Sequence, residues 1–456
     1  MYLAEEKRNL SKPSFGWLVK LLGPVPGLKE IHVACWGLFV AFLVVPMCVL
    51  LWIQVRMGPE SIRKLHPDFV YFYGVGSIVR DYPAARLYDR DLQLKTFNSL
   101  AALQEGVYGP SPYPPFVAQF FSVFARIPFE PAYLAWASVS LLLYWMGIAA
   151  IAREIFPVEP LKRSLIVCLS LAFYPFVMGT LVNGQLAAVA VCAISFGIYQ
   201  ERHGRPFASG LLLSILIYKP TLLLLIVPML LVTRRYRALL GFASGAALWM
   251  AIATMVAGFR IWPAYLHFLS AFGSTAGVGG KSALQLWKYV DFSSLLNASF
   301  PGRSGVSAGI LFALAAMLAI ALGVLLWRSA AKGQPVQSLA WAATLTWTLL
   351  LNVYVPIYDT AIVAIAVILT LGAVRDLAWE SAGRWTVLLA VLLLGVSWVT
   401  VPTAKTHGFQ LMTLLLTVLG LAQLFLLHRS MRRGSFEQRP GWAALQGSSR
   451  LGRISG

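Results

Sequence analysis

Residues 202–237 read RHGRPFASGLLLSILIYKPTLLLLIVPMLLVTRRYR, and the placement of charge in this stretch decides the architecture. Two apolar runs, 207–218 and 221–233, meet at Lys219-Pro220. Arg202 and Arg205 precede the pair, and Arg234, Arg235 and Arg237 follow it. One crossing would export one of these clusters, against the bias that keeps Lys and Arg in cytoplasmic loops. Two short crossings with a turn at Lys219-Pro220 return both clusters to the same side.

The rest of the chain follows the same pattern. Further apolar runs lie at 31–54, 132–152, 164–182, 186–200, 238–257, 305–327, 337–352, 357–374, 385–401 and 409–427. A spanning helix needs about 20 apolar residues, so these runs and the central pair predict an all-α integral membrane protein of about 12 transmembrane helices. That count puts Arg153/Lys162/Arg163, Arg328/Lys332, Arg375/Arg384 and Arg429/Arg432/Arg433 on the inner side as well. The expected organisation is a cytoplasmic segment 1–30, a transmembrane domain 31–433 and a disordered cytoplasmic tail 434–456 rich in Gly, Ser and Arg. Both termini fall in the cytoplasm, and the chain sits in the cytoplasmic (inner) membrane as a multi-pass protein.

Composition agrees. Of 456 residues, 58% are hydrophobic and 12% charged, where a soluble domain has about 25% charged. The net charge of +19 does not mark a nucleic-acid binder, because the charge lies in short runs between apolar segments and not in a stripe on one domain. Cys35, Cys48, Cys168 and Cys192 fall in apolar runs and read as packing residues. The run 31–54 is too long for a signal-peptide core and lacks a small-residue cleavage site.

Three outer segments stand out. The first outer loop, 55–131, carries short amphipathic pieces, many Tyr, and Tyr113-Pro114-Pro115-Phe116 leading into an apolar stretch too short to span. That stretch is placed flat in the outer interface, giving the loop interfacial helices. The others are 259–304 and 352–359. Nine of the eighteen carboxylates fall outside under this topology, Asp291 and Asp359 among them. Asp68 differs from the rest, since it lies in His66-Pro67-Asp68-Phe69-Val70-Tyr71-Phe72-Tyr73. Apolar surroundings raise the basicity of a carboxylate and suit a general base. Pro67-Asp68 before an apolar run equally resembles a helix N-cap. Asp81, Asp89 and Asp91 sit among Arg80, Arg86 and Arg90 and read as solvated loop charges.

Lys219-Pro220 places a cation between apolar runs at the outer face, where it marks a ligand site or snorkels to the headgroups. Pro220 would open the next helix with free N–H groups that favour an anion. Asn183-Gly184-Gln185 and Tyr358-Asp359 fall at the same surface, as helix caps or as site residues. Gly280-Lys281-Ser282 lacks the upstream glycine and strand of a P-loop. Asn297-Ala298-Ser299 is a sequon of low specificity. The six His show no metal-ligand spacing, so no metal site is expected.

Asp68-Phe69-Val70-Tyr71-Phe72-Tyr73, Leu87-Tyr88 and Tyr113-Pro114-Pro115-Phe116 resemble the first-loop signature of family 87 glycosyltransferases. These are polyprenyl-phosphate-sugar-dependent enzymes of the GT-C type. The resemblance continues in order through Asn183-Gly184-Gln185, Lys219-Pro220 and Tyr358-Asp359. It departs at Tyr354-Val355-Pro356, where similar proteins often carry Ser or His. The resemblance implies a GT-C-like fold whose first outer loop packs over a cavity facing away from the cytoplasm. It implies transfer of a sugar, often mannose, from a lipid-linked phosphosugar to a lipid or glycan acceptor, with inversion, no metal and no cofactor. Asp68 matches the family's catalytic aspartate by position. The donor phosphate calls for cations: Lys219 first, then Arg63, Lys64, Arg260, Lys281 and Lys288. Substrate contacts are expected from His66, Tyr71, Tyr113, Asn183, Gln185, Tyr358 and Asp359. Two other classes share the helix count: a transporter or flippase of a lipid-linked or anionic solute, and a lipid-linked polysaccharide polymerase. The first would not need a long loop with an aromatic-bounded aspartate, and the second usually carries its large outer loop later in the chain.

Overall fold

A computed structural model describes residues 67–101, 109–275, 286–299, 304–329, 333–353 and 355–437. The apolar run 31–54, the terminal segments 1–30 and 438–456, and Arg63, Lys64, His66 and Lys281 lie outside the described residues. The described chain is helical throughout, with no strand and one isolated bridge, Tyr289 to Pro356. The first outer loop contributes α1 (Pro67–Asp81), α2 (Arg90–Leu100) and α3 (Pro115–Phe124). The main body follows with α4 (Phe129–Ile155), α5 (Pro160–Leu171), a π-helix (Pro175–Val182), α6 (Ala187–Arg202), α7 (Pro206–Leu213) and α8 (Ile226–Val232). After these come α9 (Tyr236–Ala257), α10 (Ile261–Thr275), α11 (Phe292–Ser299) and α12 (Ser304–Ser329). The last are α13 (Gln334–Leu350), α14 (Val363–Asp376), α15 (Glu380–His407) and α16 (Leu411–Glu437).

Proline sets several starts. Pro160, Pro206 and Pro335 stand at the first or second position of α5, α7 and α13, where a missing N–H costs nothing. Glu130 in the first turn of α4 and Arg153 in its last complement the helix dipole. By length and composition, 6 helices among the described residues suit a membrane crossing, or up to 7 if the bent pair Pro160–Leu171 and Pro175–Val182 is one span. Eleven of the twelve apolar runs fall on described residues, and several of them form helices too short for this test. The runs at 207–218 and 221–233 form the short pieces Pro206–Tyr218 and Pro220–Val232, because Pro220 removes an N–H at their junction. α13 has 17 residues and is buried along almost its whole length, with Thr344, Thr346 and Thr348 fully enclosed. It is a core helix with other helices on every side.

Charge separates the two ends of the bundle. Arg202 at the end of α6 pairs with Glu154 of α4 at 3.3 Å and reaches Ser338 of α13 at 3.4 Å. Arg235, before α9, pairs with Glu201, which also accepts from the Trp341 indole at 2.9 Å. Arg375 of α14 pairs with Glu159 at 3.1 Å. The basic runs around 153–163, 202–205, 234–237 and 375 are thus joined at one end. The other end of α4, at Phe129 and Tyr133, meets the first-loop helix α1.

Candidate active site

The site is built on the docking of α1. Phe69 meets Phe129 and Tyr133 with ring centroids 5.2 and 5.5 Å apart, and Phe72 stacks on Phe121 at 5.0 Å. Aromatic pairs of this kind bury large area with defined geometry, so the stripe holds the first turn of α1 against α3 and α4. Asp68 stands in that first turn, since the helix begins at Pro67. Asp68 is thus the second residue of the helix and not the capping residue ahead of it. Phe72 also packs on the Tyr113 ring at 4.9 Å. The Tyr113 backbone is held by the Tyr88 hydroxyl, which donates to its carbonyl at 2.9 Å.

Opposite Asp68, the chain turns sharply at Gly184 with φ of +73°, and a Cβ there would lie 2.7 Å from the Phe69 Cβ. Only glycine fits both constraints. The Trp136 indole donates to the Gly184 carbonyl at 2.8 Å, and the Gln185 amide nitrogen donates to Thr180 O at 3.0 Å. So held, the buried Gln185 side chain hydrogen-bonds the Asp68 carboxylate and accepts from the Tyr113 hydroxyl at 3.4 Å. Burial raises the Asp68 pKa above the usual carboxylate range, and the Gln185 hydrogen bond and the charges of Lys288 and Lys219 pull the other way. Tyr113 is pushed well above its ordinary value by burial and by the charges of Asp359 and Asp68, and it also hydrogen-bonds Tyr358. It stays a hydroxyl donor.

Lys219 and Asp359 form an ion pair, and the Lys219 ammonium lies 5.0 Å from the Tyr358 ring centroid. This changes the reading of Lys219, which is not a free cation awaiting a phosphate. Its charge is matched by a carboxylate that is 2% exposed. The anion-binding helix start expected at Pro220 is also absent, because Pro220–Leu223 is a 3-10 turn of 4 residues. Tyr358 comes close because Gly179 leaves room: a Cβ there would lie 2.5 Å from the Tyr358 Cβ.

Asp291 has a different part. Its carboxylate accepts from Ser294 N at 2.8 Å, Ser294 Oγ at 3.0 Å and Val355 N at 2.7 Å. Val290 N donates to Val355 O at 2.9 Å beside it. Asp291 therefore ties the 287–291 segment to the turn that leads into Tyr358 and Asp359, and Lys288 ends up acting on Asp68.

Of the residues proposed from sequence, Asp68, Tyr113, Gln185, Lys219, Lys288, Tyr358 and Asp359 come together. Tyr71 packs edge-on to Phe97 at 5.1 Å. Asn183 is half-buried at the end of the π-helix, where its N–H donates to Met178 O at 3.2 Å. Arg260 is exposed in the turn between α9 and α10. The loop acids behave as solvated charges, with Arg80–Asp81 and Arg86–Asp89 pairs of 2.6 Å at the surface. Asp89 also caps α2 by accepting from Leu92 N at 3.1 Å. The clamp at Asp291 had no local signal beyond a carboxylate in an outer segment.

Fold and site define a helical membrane protein with a polar, carboxylate-bearing site at the end of the bundle opposite its basic runs. The sequence profile of glycosyltransferase family 87 matches residues 112–356, more than half of the chain. The protein belongs to that family and is a membrane glycosyltransferase. Asp68 lies ahead of the matched span, and the remaining site residues except Asp359 and Tyr358 lie within it. No curated protein and no solved structure matches the chain.

Proposed function

We propose that this glycosyltransferase moves a hexose, mannose by preference, from a polyprenyl-phosphate donor to a lipid or glycan acceptor at the outer face of the cytoplasmic membrane. The working unit is a GT-C-like fold of about twelve spans. Asp68 takes the proton of the acceptor hydroxyl as its oxygen attacks the anomeric carbon. The bond from that carbon to the phosphate oxygen breaks, its electron pair leaves with polyprenyl phosphate, and the configuration inverts. Cations near the phosphate stabilise the charge that develops there. No metal or cofactor enters the scheme.

The observation that carries this reading is the state of Asp68, a half-buried carboxylate made more basic by burial and aimed by Gln185. A base needs that raised basicity together with access to substrate. Tyr113 and Tyr358 stand beside Asp68 and present their hydroxyls as the polar groups a sugar would meet. The test is incubation of purified protein with radiolabelled polyprenyl-phosphate sugars and a membrane lipid extract. Transfer of label with inverted configuration is expected. Movement of intact donor across proteoliposome membranes without transfer would replace the proposal with a flippase.

A further inference from the structure

Trp287-Lys288 lies on the segment that Asp291 ties down, and a second element reaches it. The turn between α15 and α16 is pinned to this segment: the Gln410 amide donates to Trp287 O at 2.8 Å and Thr413 Oγ1 donates to Val290 O at 2.9 Å. Thr400 donates to the Gln410 carbonyl oxygen and so orients that amide. These bonds bring Lys405, near the end of α15, to the same indole as Lys288. The Lys288 ammonium lies 5.1 Å and the Lys405 ammonium 5.8 Å from the Trp287 ring centroid. Both lysines are exposed, and neither makes an ion pair among the described residues.

Both ammonium groups lie within cation–π reach of one indole, so two exposed positive charges are gathered around it. An anion docked beside that indole would meet them. Lys288 is also near enough to Asp68 to act on its carboxylate, which ties this end of the pair to the site. Lys219, by contrast, already has Asp359. We propose that Lys288 and Lys405, spaced by Trp287, form the phosphate clamp of the site, with a polyprenyl phosphate as ligand and the indole as the apolar surface for its first isoprene unit. The inference rests on the donor class proposed above and adds Lys405 and Trp287 to the site.

The experiment measures binding without chemistry. The intact protein in zwitterionic nanodiscs is titrated with radiolabelled polyprenyl phosphate carrying no sugar, and with uncharged polyprenol of the same length. Lys405→Gln and Lys288→Gln should each weaken binding of the phosphate about tenfold or more, and Lys405→Arg should retain it. Polyprenol binding should not change, which also shows that the variants are folded. Lys162→Gln, at the other end of the bundle, should match wild type. Salt should weaken wild-type binding more than that of the double variant. Equal binding by wild type and the Lys288→Gln/Lys405→Gln protein overturns the clamp, as does absence of wild-type binding. Displacement by an anionic phospholipid as effective as by polyprenyl phosphate makes this a headgroup site and also overturns it. Lysine-dependent binding in a protein that transfers sugar from no donor would instead refute the function and leave the clamp standing.

Discussion

Asp68→Asn keeps the volume of the side chain and its partner Gln185, and removes the ability to take a proton. Its effects on stability and on turnover should separate. Asp68 lies in the first turn of α1, where a negative charge gains about 0.3–1 kcal/mol from the helix dipole. Burial opposes this and is the largest influence on the group, raising its pKa. A carboxyl whose folded pKa exceeds its unfolded value costs stability as pH rises from the lower value to the higher, and that cost persists at neutral pH. Asparagine removes it, so the melting temperature at neutral pH should stay level or rise slightly. Turnover should fall about 10²–10⁴-fold, the range for general base catalysis, or about 3–5 kcal/mol of transition-state stabilisation. The wild-type base works only when deprotonated, so activity should drop as pH falls through a value above the ordinary carboxylate range. The residual activity of the variant should lack that limb. The assay is transfer from a radiolabelled polyprenyl-phosphate sugar in proteoliposomes over a pH series, with melting followed in parallel. Near-normal turnover with the acid limb intact would refute the reasoning and return Asp68 to a structural role.

Two further outcomes follow from the ion pair and from the charged end of the bundle. Lys219→Met leaves the Asp359 carboxylate buried without its cation and should cost about 3–5 kcal/mol, as for other broken buried pairs. Lys219→Met/Asp359→Leu should recover most of that loss in a thermal-melt double-mutant cycle; a stable Lys219→Met protein with only a raised donor KM would restore the phosphate role read from the sequence. In a protein without native cysteines, Ala85→Cys should react with a membrane-impermeant thiol reagent in intact cells, while Val158→Cys should not. Both positions are exposed, Val158 at 84%, so reaction at Val158 would reverse the proposed orientation.

Much of the site was legible because its signals are local. Asp68 is visible as an anomaly among Phe69, Tyr71, Phe72 and Tyr73, and that same aromatic stripe docks α1. Gly184 before Gln185 marks a turn, and the structure uses its positive φ there. The span count was less legible. An apolar run records what a segment avoids, which is water, but not whether lipid or neighbouring helices replace it. α13 reads like a span and is enclosed by protein.

The sequence by itself determined that this is a helical membrane protein, which segments are apolar, and that its basic runs recur between them. Those properties are sums over consecutive residues, because transfer of a segment from water depends on its own side chains. Only the tertiary structure decided the partners. Lys219 meets Asp359 across 140 positions, and Asp291 holds Val355 across 64. Nothing near Lys219 in sequence says that its charge is already matched, and nothing near Lys405 says that it shares an indole with Lys288. Such pairings arise where helix packing brings distant ends of the chain to one place, and in a low-dielectric interior they set which charges remain free for a ligand.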